Sequence, residues 1–466
     1  MAVCRLMDTE DARALDAQSW AAKLVLDLGA DVSVPPAGPS GHPALSWAEC
    51  GAMALTGHRD GPPLMCPVPL AACADGALLA LAALAQAPDG VLPRGGGLLA
   101  ERAAMTGLAR SGRVSPGGGC RLLDCADGRI ALTLARAHDW EALPAFLGEK
   151  WHGPDSGASE GGWRAVAKAV SAVPVEDLIE RGRLLSLAIA AERLPAKRTP
   201  GWFAIDCERR AAPLSLGARP LVVDLSALWA GPLCTQLLGL LGARVVKVES
   251  PGRQDGARAG NQAFFDLLNR GKSTLMLDLD TMSGRDQLRR LLARADIVVE
   301  ASRPRALEQL GIDASEFCAD GRALTWISLT GHGRAAPEGD WIAFGDDAGV
   351  AAGLATVMRH ATGEPVFCGD AIGDPMAGMH AALAAWWSRR HGGTRRFSLS
   401  LAGVVGHCVD WSGPLDPVTL RERQARWNAV LRNAGGTVNP PTMRAGAAPK
   451  SGTRGFVYDP GESRPA

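Results

Sequence analysis

Residues 220–249, PLVVDLSALWAGPLCTQLLGLLGARVVKVE, contain two apolar runs separated by a helical pattern. The run LVVDL after Pro220 is short and rich in β-branched residues, which predicts a buried strand. Helical periodicity begins at Ala230 and ends at Gly242, and residues 243–249 (ARVVKVE) predict a second strand. Such a unit predicts two parallel strands of one sheet, joined by a right-handed crossover.

The alternation of strands and helices continues to about residue 400. Further apolar runs predict strands at 273–279, 296–302 and 324–331, and a charged amphipathic pattern predicts a helix at 280–295. Repeated units of this kind indicate the α/β class, with an open, parallel, Rossmann-like sheet and helices on both of its faces. Residues 217–412 are accordingly predicted to form a large domain.

Helical patterns dominate the first 215 residues. They predict helices at 15–27, 75–86, 98–110, 140–147, 163–171 and 175–190. One hairpin is predicted among them, because apolar runs at 120–125 and 129–135 flank the turn dipeptide Asp127-Gly128. We therefore expect a smaller α+β domain over residues 113–200.

Two segments of the chain carry no predicted helix or strand. Residues 195–220 are rich in Pro and Arg and are predicted to be an inter-domain linker. Regularity is lost after about Asp410, so residues 413–466 are expected to be irregular, and the Pro/Gly-rich stretch 438–466 extended or disordered.

Two segments of the first half resemble segments of the second half in the same order. Leu24–Val32 aligns without gaps on Leu237–Val245, and Gly61–Gly76 aligns without gaps on Gly363–Gly378. Chance similarity between Ala/Gly/Leu-rich segments competes with this interpretation for either match alone. The shared order favours a duplication, which makes residues 1–112 a degenerate, shortened repeat of the large domain.

Composition excludes several classes of function. A chain of 466 residues is long enough for two or three domains, and 49 Lys and Arg balance 49 Asp and Glu. This balance lacks the basic excess of nucleic-acid binders and of polybasic membrane proteins. The longest apolar run, 77–85, is too short for a membrane span, and the N-terminus has no signal-peptide core. We expect a cytoplasmic protein without nucleic-acid or membrane partners.

The cysteines and the nucleotide motifs give further exclusions. The eleven cysteines include no C-x-x-C pair and no zinc spacing, so reduced thiols and no metal site are expected. The first strand-to-helix turn, DLSALWAGPLCTQ, has one glycine and lacks the dinucleotide fingerprint G-x-G-x-x-G. Neither a P-loop nor G-x-S-x-G occurs, so NAD, FAD, ATP and serine-hydrolase chemistry are not predicted.

The segment Cys368–Leu383, CGDAIGDPMAGMHAAL, carries the best candidate for chemistry. Asp374 precedes Pro375 and an apolar-periodic run, so it is predicted to be the N-cap of a helix with Pro at the first position. A carboxylate at a helix N-terminus is stabilised by the macrodipole, which suits an ionised nucleophile. Asp370 lies in a glycine turn and is the weaker candidate. His407, one helical turn before Asp410, indicates an ordinary surface pair.

Five blocks of the second half resemble the family III CoA-transferases (the CaiB/BaiF family, which includes formyl-CoA:oxalate CoA-transferase). They are DLSALWAGPLCTQLLGLLGARVVKVESPG, NRGKSTLMLDL, ADIVVEASRPRALEQLGID, LTWISLTGHG and GDAIGDPMAGMHAAL, in the order of the family. SPGGGCRLLDCADGRIAL at 115–132 resembles the family's small domain with its glycine loop. In the family this domain follows the aspartate block, so the resemblance implies a rearranged chain.

The resemblance implies a mechanism of covalent catalysis. Asp374 would attack an acyl-CoA thioester to give a mixed anhydride. The CoA thiolate would then return to give an aspartyl-CoA thioester, and an incoming carboxylate would repeat these steps in reverse. Gly117, Gly118 and Gly119 match the family's glycine loop, whose N–H groups stabilise oxyanions; without the resemblance an ordinary turn explains them equally well. Coenzyme A enters as a substrate, and no permanently bound cofactor is implied.

The resemblance also implies a CoA site at the ends of the parallel strands, where open α/β sheets bind ligands. The matching positions are Ala227, Trp229, Asn269, Lys272 and Arg303. Lys272 and Arg303 would pair with phosphates, unless they are ordinary solvated charges, and Trp229 would lie against adenine or pantetheine. The chain departs from the family at two further positions, since the family often has Asn where Ala301 stands and a basic residue near Ser250.

Two other functions stay open. The same family includes 2-methylacyl-CoA racemases, which need two proton-transfer groups; the place of their His aligns with Phe344, with Asp346 and Asp347 nearby. A non-catalytic acyl-CoA-binding protein is the other alternative, because Ala72 occupies the place of Asp374 in the first repeat. The family forms interlocked dimers, which implies a homodimer here, or a chain that imitates part of a dimer by itself.

Overall fold

The computed structural model describes residues 14–34, 41–151, 153, 159–197, 201–209, 219–319 and 322–444. The strands in these ranges are β1 (Cys120–Asp124), β2 (Arg129–Thr133), β3 (Ala188–Ala191), β4 (Ala204–Arg209), β5 (Leu221–Leu225), β6 (Arg244–Glu249), β7 (Ser273–Met276), β8 (Ile297–Glu300), β9 (Leu324–Thr330) and β10 (Thr394–Ser400). They form two separate sheets, one of three strands and one of seven.

The helices connect and cover these strands. They are α1 (Ala17–Asp27), α2 (Pro43–Glu49), α3 (Leu70–Ala85), α4 (Gly95–Leu98), α5 (Glu101–Thr106), α6 (Ala137–Glu141), α7 (Leu143–Leu147), α8 (Glu160–Val170), α9 (Val175–Leu184), α10 (Ala230–Leu240), α11 (Gln262–Asn269), α12 (Met282–Leu292), α13 (Pro304–Gln309), α14 (Ala314–Ala319), α15 (Gly345–Ala351), α16 (Leu354–Thr362), α17 (Gly373–His391), α18 (Leu401–Trp411) and α19 (Pro417–Asn433). Within the described ranges, none of these helices combines the length and the apolar character needed to cross a membrane.

The large sheet has the strand order β4-β10-β9-β8-β5-β6-β7. Every neighbouring pair is parallel except β4 and β10, which are antiparallel. Side chains alternate between two cores: Val222 packs in the core that contains α10 and α17, and Val223 in the core that contains α12. The expected α/β class, with an open and mostly parallel sheet covered on both faces, is confirmed.

The turn after β5 is held by Asp224, near the carboxyl end of that strand. Its carboxylate accepts hydrogen bonds from the Ser226 N–H at 3.0 Å and from Thr235 Oγ1 at 2.6 Å. A Cβ on Gly231 would lie 2.2 Å from Ser226 Cβ, so only glycine lets α10 start this close to the turn. Strand and helix are thereby locked together next to residues 227–229.

The small sheet has the order β1-β2-β3 and contains the expected hairpin. Its register pairs Cys120 with Thr133 and Asp124 with Arg129, across the Asp127-Gly128 turn. The helix predicted to run to residue 190 is wrong at its end, because α9 ends at Leu184 and 188–191 is the strand β3. Antiparallel pairing with β2 outweighs the helix propensity of the Ala-rich run.

Two expectations of irregular structure are also wrong. The predicted linker 195–220 contains β4, an edge strand whose side chains are mostly exposed and therefore give no alternating apolar pattern. The expected irregular segment 413–466 contains α19, which begins after the N-cap Asp416 and buries Leu420 and Trp427. The many charged residues of α19 obscure the helical periodicity of its apolar residues in the sequence. Residues 445–466 lie outside the described ranges.

The two pairs of repeated segments are only partly alike in structure. Leu237–Val245 runs from α10 into β6, whereas Leu24–Val32 leaves α1 without entering a strand, so the expected helix-to-strand unit is wrong in the first copy. A strand there has no neighbouring strand with which to pair. In both copies of the second pair, coil is followed by a helix, α3 or α17.

The helix packing in the two copies is closely similar. A Cβ on Gly76 of α3 would lie 2.6 Å from the carbonyl oxygen of Ala17 in α1, and one on Gly378 of α17 would lie 2.6 Å from that of Ala230 in α10. Helix α3 also packs against α17, and Cys66 Sγ lies 3.8 Å from Cys368 Sγ. The duplication stays a prediction, to which these contacts add support.

Candidate active site

A cavity of about 320 Å³ lies where both halves of the chain meet. It is lined by Arg102, Thr106, Ser115, Gly117, Gly119, Cys120, Thr133, Ala135, Leu228, Trp229, Gly256, Ala257, Gly260, Asn261, Phe264, Phe344, Asp346, Ala371 and Asp374. The cavity thus brings together the candidate nucleophile, two of the three glycines of the loop and one of the expected CoA contacts. These residues are far apart in sequence, so only the fold assembles them.

Asp374 is the second residue of α17 rather than its N-cap. The helix begins at Gly373 after Ile372, and the Asp374 N–H donates to the Ala371 carbonyl at 3.0 Å. The expected N-cap role is therefore wrong. The carboxylate points instead towards Gly345 at the start of α15, where an added Cβ would lie 2.3 Å from Asp374 Oδ2. Glycine at 345 leaves the space that this side chain occupies.

The charge state of Asp374 also differs from the expectation. Burial raises the pKa of this carboxyl to about 7, against the opposing effects of the Arg102 charge and of the Gly345 N–H. The expectation that the helix N-terminus keeps the group ionised is wrong below neutral pH, because loss of water outweighs the helix field. At pH 7 about half of the molecules carry the carboxylate.

Arg102 is a residue of the cavity that sequence reasoning missed. Its Nε donates to Asp370 Oδ2 at 2.8 Å and its Nη2 donates to Asp370 Oδ1 at 2.5 Å, and Asp370 is fully buried. The guanidinium carbon lies 5.4 Å from the centroid of the Trp229 ring. A single arginine in a helical run, LLAERAAM, gives no sequence signal for a site on its own.

Two further carboxyls lie beside Asp374. Burial raises the pKa of Asp346 to about 6, with a further contribution from Asp370, and its Oδ1 accepts the Ala371 N–H at 2.9 Å. Burial also raises the pKa of Asp347 to about 7, and its Oδ1 accepts from Thr133 Oγ1 at 2.8 Å. The Asp347 contact joins β2 of the small sheet to α15.

The glycine loop lies between α5 and β1, and its residues Gly117 and Gly119 line the cavity together with Asp374 of α17. Gly118 has φ +76°, which only glycine adopts at little cost, and its N–H donates to the Ser115 carbonyl at 2.7 Å. A Cβ on Gly117 would lie 3.4 Å from Arg102 Nη2. A side chain at position 117 would therefore fill the space between the loop and the arginine.

Two residues with a strained backbone conformation line this cavity. Within the described ranges four non-glycine residues have a positive φ, and two of them, Leu228 (+69°) and Ala371 (+42°), line the cavity. Such residues cost of order 1–3 kcal/mol each and persist only where the surroundings fix them. The strain marks this cavity as a candidate functional site.

A second cavity, of about 400 Å³, lies at the carboxyl ends of β5, β6 and β8. Its lining residues include Ala227, Ser250, Asp255 and Ala301. The two cavities are separated by a short partition, in which the Leu228 N–H donates to Asp255 Oδ1 at 2.9 Å. Ala227 faces the second cavity and Trp229 the first, so the two expected CoA contacts lie on either side of the partition.

Lys272 lies in neither cavity. It is 5% exposed, and its Nζ lies 2.9 Å from Asp224 Oδ2 and 3.0 Å from Asn269 Oδ1. Burial lowers its pKa to about 8, against the opposing charge of Asp224. The expectation of a surface charge free to pair with a phosphate is wrong. Asn269, whose Nδ2 donates to the Phe265 carbonyl at 2.9 Å, likewise serves this internal network.

Arg303 is exposed, at the residue before α13, with Nη1 3.3 Å from Ser186 Oγ. It does not line the second cavity, but its neighbour Ser302 does. His407 is not half of a surface pair with Asp410; it is mostly buried, with Nε2 3.4 Å from Asp27 Oδ2. It lies on α18 and contacts α1, so it is part of the packing between these helices.

Residues 220–405 match the model of the family described as CoA-transferase family III. This match confirms, over those residues, the resemblance that the sequence blocks indicate. The chain is 35% identical over 178 residues to succinyl-CoA–D-citramalate CoA-transferase of Chloroflexus aurantiacus, covering 36% of this chain and 44% of that one. It is 30% identical over 195 residues to formyl-CoA:oxalate CoA-transferase of Escherichia coli, covering 40% and 47%.

The chain thus spans less than half the length of the curated relatives that it matches. A solved structure, that of a CaiB/BaiF family protein from Brucella suis, aligns at a TM-score of 0.37 with 26% identity, over 48% of this chain and 58% of that one. The matched residues hold Asp374, Asp370 and Asp346, whereas Arg102 and the glycine loop lie outside the family match.

Proposed function

We propose that the chain transfers coenzyme A between an acyl-CoA thioester and a carboxylic acid, with Asp374 as the covalent nucleophile. The observation that carries the proposal is the shared cavity of Asp374 and the loop residues Gly117 and Gly119. A carboxylate and a glycine loop in one cavity provide a nucleophile and N–H groups that can stabilise an oxyanion. The family match over residues 220–405 gives independent support.

The first half-reaction begins when the Asp374 carboxylate attacks the thioester carbonyl carbon. The C–S bond breaks, CoA leaves as the thiolate, and an anhydride joins the acyl group to Asp374. The thiolate then attacks the aspartyl carbonyl carbon, which releases the donor as a carboxylate and leaves CoA on Asp374 as a thioester. The energy of the thioester bond is conserved throughout.

The second half-reaction repeats these steps in reverse. The acceptor carboxylate attacks the aspartyl thioester, CoA thiolate leaves, and the thiolate returns to the acceptor carbonyl carbon. Asp374 is then released as a carboxylate. Each attack places negative charge on a carbonyl oxygen, for which we propose the N–H groups of Gly117 and Gly119 as donors. The Gly118 N–H is already used by the Ser115 carbonyl.

The proposed path of CoA runs across the partition at 227–229. The nucleotide would lie in the cavity at the ends of β5, β6 and β8, which is where open α/β sheets bind ligands. Pantetheine would pass Leu228 and bring the sulphur atom into the cavity of Asp374. Partial burial of Asp374 supports this chemistry, because an anhydride needs protection from water.

Hydroxylamine trapping tests this proposal. Incubating the protein with an acyl-CoA and then with hydroxylamine should leave a hydroxamate on Asp374, located by peptide mapping. Asp374→Asn should lose both the hydroxamate and the transfer of CoA to a carboxylic acid, followed by chromatography. Asp410→Asn makes the same chemical change outside the cavity and should keep both. Full transfer by Asp374→Asn would contradict the proposal.

One observation favours racemisation as a second candidate. Asp346 and Asp374 line the same cavity and both have a pKa raised towards neutrality by burial, as a pair of proton-transfer groups requires. A racemase would exchange the α-proton of a 2-methylacyl-CoA with deuterium in heavy water without any acceptor acid. A transferase would give labelled Asp374 and no exchange. Acyl-CoA binding with neither result would indicate a non-catalytic binding protein.

The oligomeric state and location stay proposals. The resemblance supports a cytoplasmic homodimer, whereas Arg102, Gly117 and Asp374 form the cavity within one chain. Light scattering that gives twice the chain mass would support the dimer, and the single-chain mass would contradict it.

A further inference from the structure

We propose that the acyl cavity selects monocarboxylic acyl groups with an apolar chain and rejects dicarboxylic ones. This inference rests on the proposed function and adds the substrate class to it. Two features carry it, the walls of the cavity and the charges around it, and the volume sets the chain length of the test substrates.

The walls of the cavity are largely apolar. Leu228, Trp229, Phe264 and Phe344 line it together with the small residues Ala135, Ala257 and Ala371. Trp229 and Phe264 pack edge to face with ring centroids 5.2 Å apart, and both are at least 95% buried. An acyl chain that leaves water for such walls gains roughly 0.8 kcal/mol per CH₂ group, whereas a terminal carboxylate loses its hydration there.

The charges around the cavity are unfavourable to a second carboxylate. Arg102 is the one cationic side chain among the described residues that line the cavity. One edge of its guanidinium, formed by Nε and Nη2, already donates to Asp370, and its charge also acts on Asp346 and Asp374. One cation therefore faces three carboxyls, two of them at least half ionised at neutral pH and the third fully paired with it.

The transfer reaction itself needs only one carboxylate charge at a time. When Asp374 is acylated or carries CoA, its own charge is gone, and the reacting carboxylate of the acid takes its place. A second carboxylate at the far end of the acid would add a charge for which the described lining residues offer no further cation. The charges of the site therefore suit an acid that has one reacting carboxylate and an otherwise uncharged chain.

The volume is sufficient for a six-carbon acyl chain. About 320 Å³ corresponds to roughly ten water-sized groups, taking about 30 Å³ for each. The thioester and a six-carbon acyl chain contribute eight non-hydrogen atoms, which fit. Hexanoyl-CoA and adipoyl-CoA have the same number of acyl carbons and differ by a terminal carboxylate, so this pair isolates the effect of charge.

The test compares these two thioesters. In the wild type, hexanoyl-CoA should label Asp374 at least tenfold faster than adipoyl-CoA. On Asp374→Asn, which cannot react, calorimetry should give hexanoyl-CoA at least tenfold tighter binding. Equal or better labelling or binding of adipoyl-CoA would overturn the inference. A preference in binding without any labelling in the wild type would leave the inference standing and contradict the proposed function.

A charge added at the cavity rim gives a second test. Thr106 is exposed at the end of α5, lines the cavity, and donates through Oγ1 to the Arg102 carbonyl at 2.8 Å. Thr106→Lys should lower the hexanoyl-to-adipoyl ratio at least threefold. Thr106→Gln, of similar length but neutral, should leave that ratio unchanged. Equal ratios in the two variants would contradict the role assigned to charge.

Discussion

Replacing Asp374 with Asn should stabilise the protein increasingly as pH rises from 4 to 7. An aspartate carboxyl in water has a pKa of about 3.9, whereas burial disfavours the charged form of Asp374 and raises its pKa in the folded protein to about 7. Between these values the folded state binds more protons than the unfolded state, so the wild type loses stability as pH rises. Asparagine carries no charge and avoids this loss.

The magnitude follows from the size of the shift. Roughly three pKa units at about 1.36 kcal/mol each give about 4 kcal/mol, and the remaining solvent contact of Asp374 reduces this to about 2–4 kcal/mol. Urea unfolding at pH 4, 5, 6, 7 and 8 measures it. The stability difference between the variant and the wild type should grow by that amount up to pH 7 and then level off. A difference independent of pH would refute the assignment of a raised pKa to Asp374.

Three further outcomes are expected. The rate at which an acyl-CoA labels Asp374 should rise about tenfold per pH unit below 7 and level off above 8, because only the carboxylate is nucleophilic. Reactions stopped at timed intervals measure this rate, and a labelling rate that does not change with pH would contradict the expectation. Lys272→Ala should lower the unfolding free energy by about 3–5 kcal/mol, since it leaves Asp224 buried without its partner at 2.9 Å. Lys23→Ala, which removes a partly exposed ion pair, should change it by less than about 1 kcal/mol. Equal urea midpoints for the two variants would show that the buried pair is unimportant. Gly118→Ala should cost about 1–2 kcal/mol of stability, because φ is +76° there, and should slow labelling of Asp374. Gly363→Ala, in the left-handed region at φ +92° and away from the cavity, should cost similar stability and keep the labelling rate.

The parts of the fold that the sequence predicts well are those with strong local patterns. The strands β5, β6, β8 and β9 are largely apolar and buried. The Asp127-Gly128 turn predicts that β1 and β2 pair with each other as a hairpin. The sequence does not predict strand β4, because its side chains are mostly exposed. It does not predict α19 either, because the charged residues of that helix outnumber its few buried residues. Pattern reasoning depends on burial, and both elements bury little.

The candidate site shows the same limit. Asp374 and the loop at 117–119 are found from local motifs, but their meeting depends on packing between distant segments. Arg102 and Asp370 are 268 positions apart in sequence, and no local pattern predicts a contact between them. The sequence does not reveal that Lys272 is buried, where its ammonium group pairs with Asp224 rather than with a ligand phosphate.

The most direct test of the central claim follows oxygen atoms from the acceptor acid to Asp374. In the proposed mechanism the acceptor carboxylate supplies the bridging oxygen of its anhydride with Asp374, and CoA thiolate then attacks the acceptor carbonyl carbon. The bridging oxygen stays on Asp374. Turnover of an acyl-CoA with an acceptor acid labelled with oxygen-18 should therefore add label to the peptide that contains Asp374, read by mass spectrometry. Product formation with no label in that peptide would contradict covalent catalysis by Asp374.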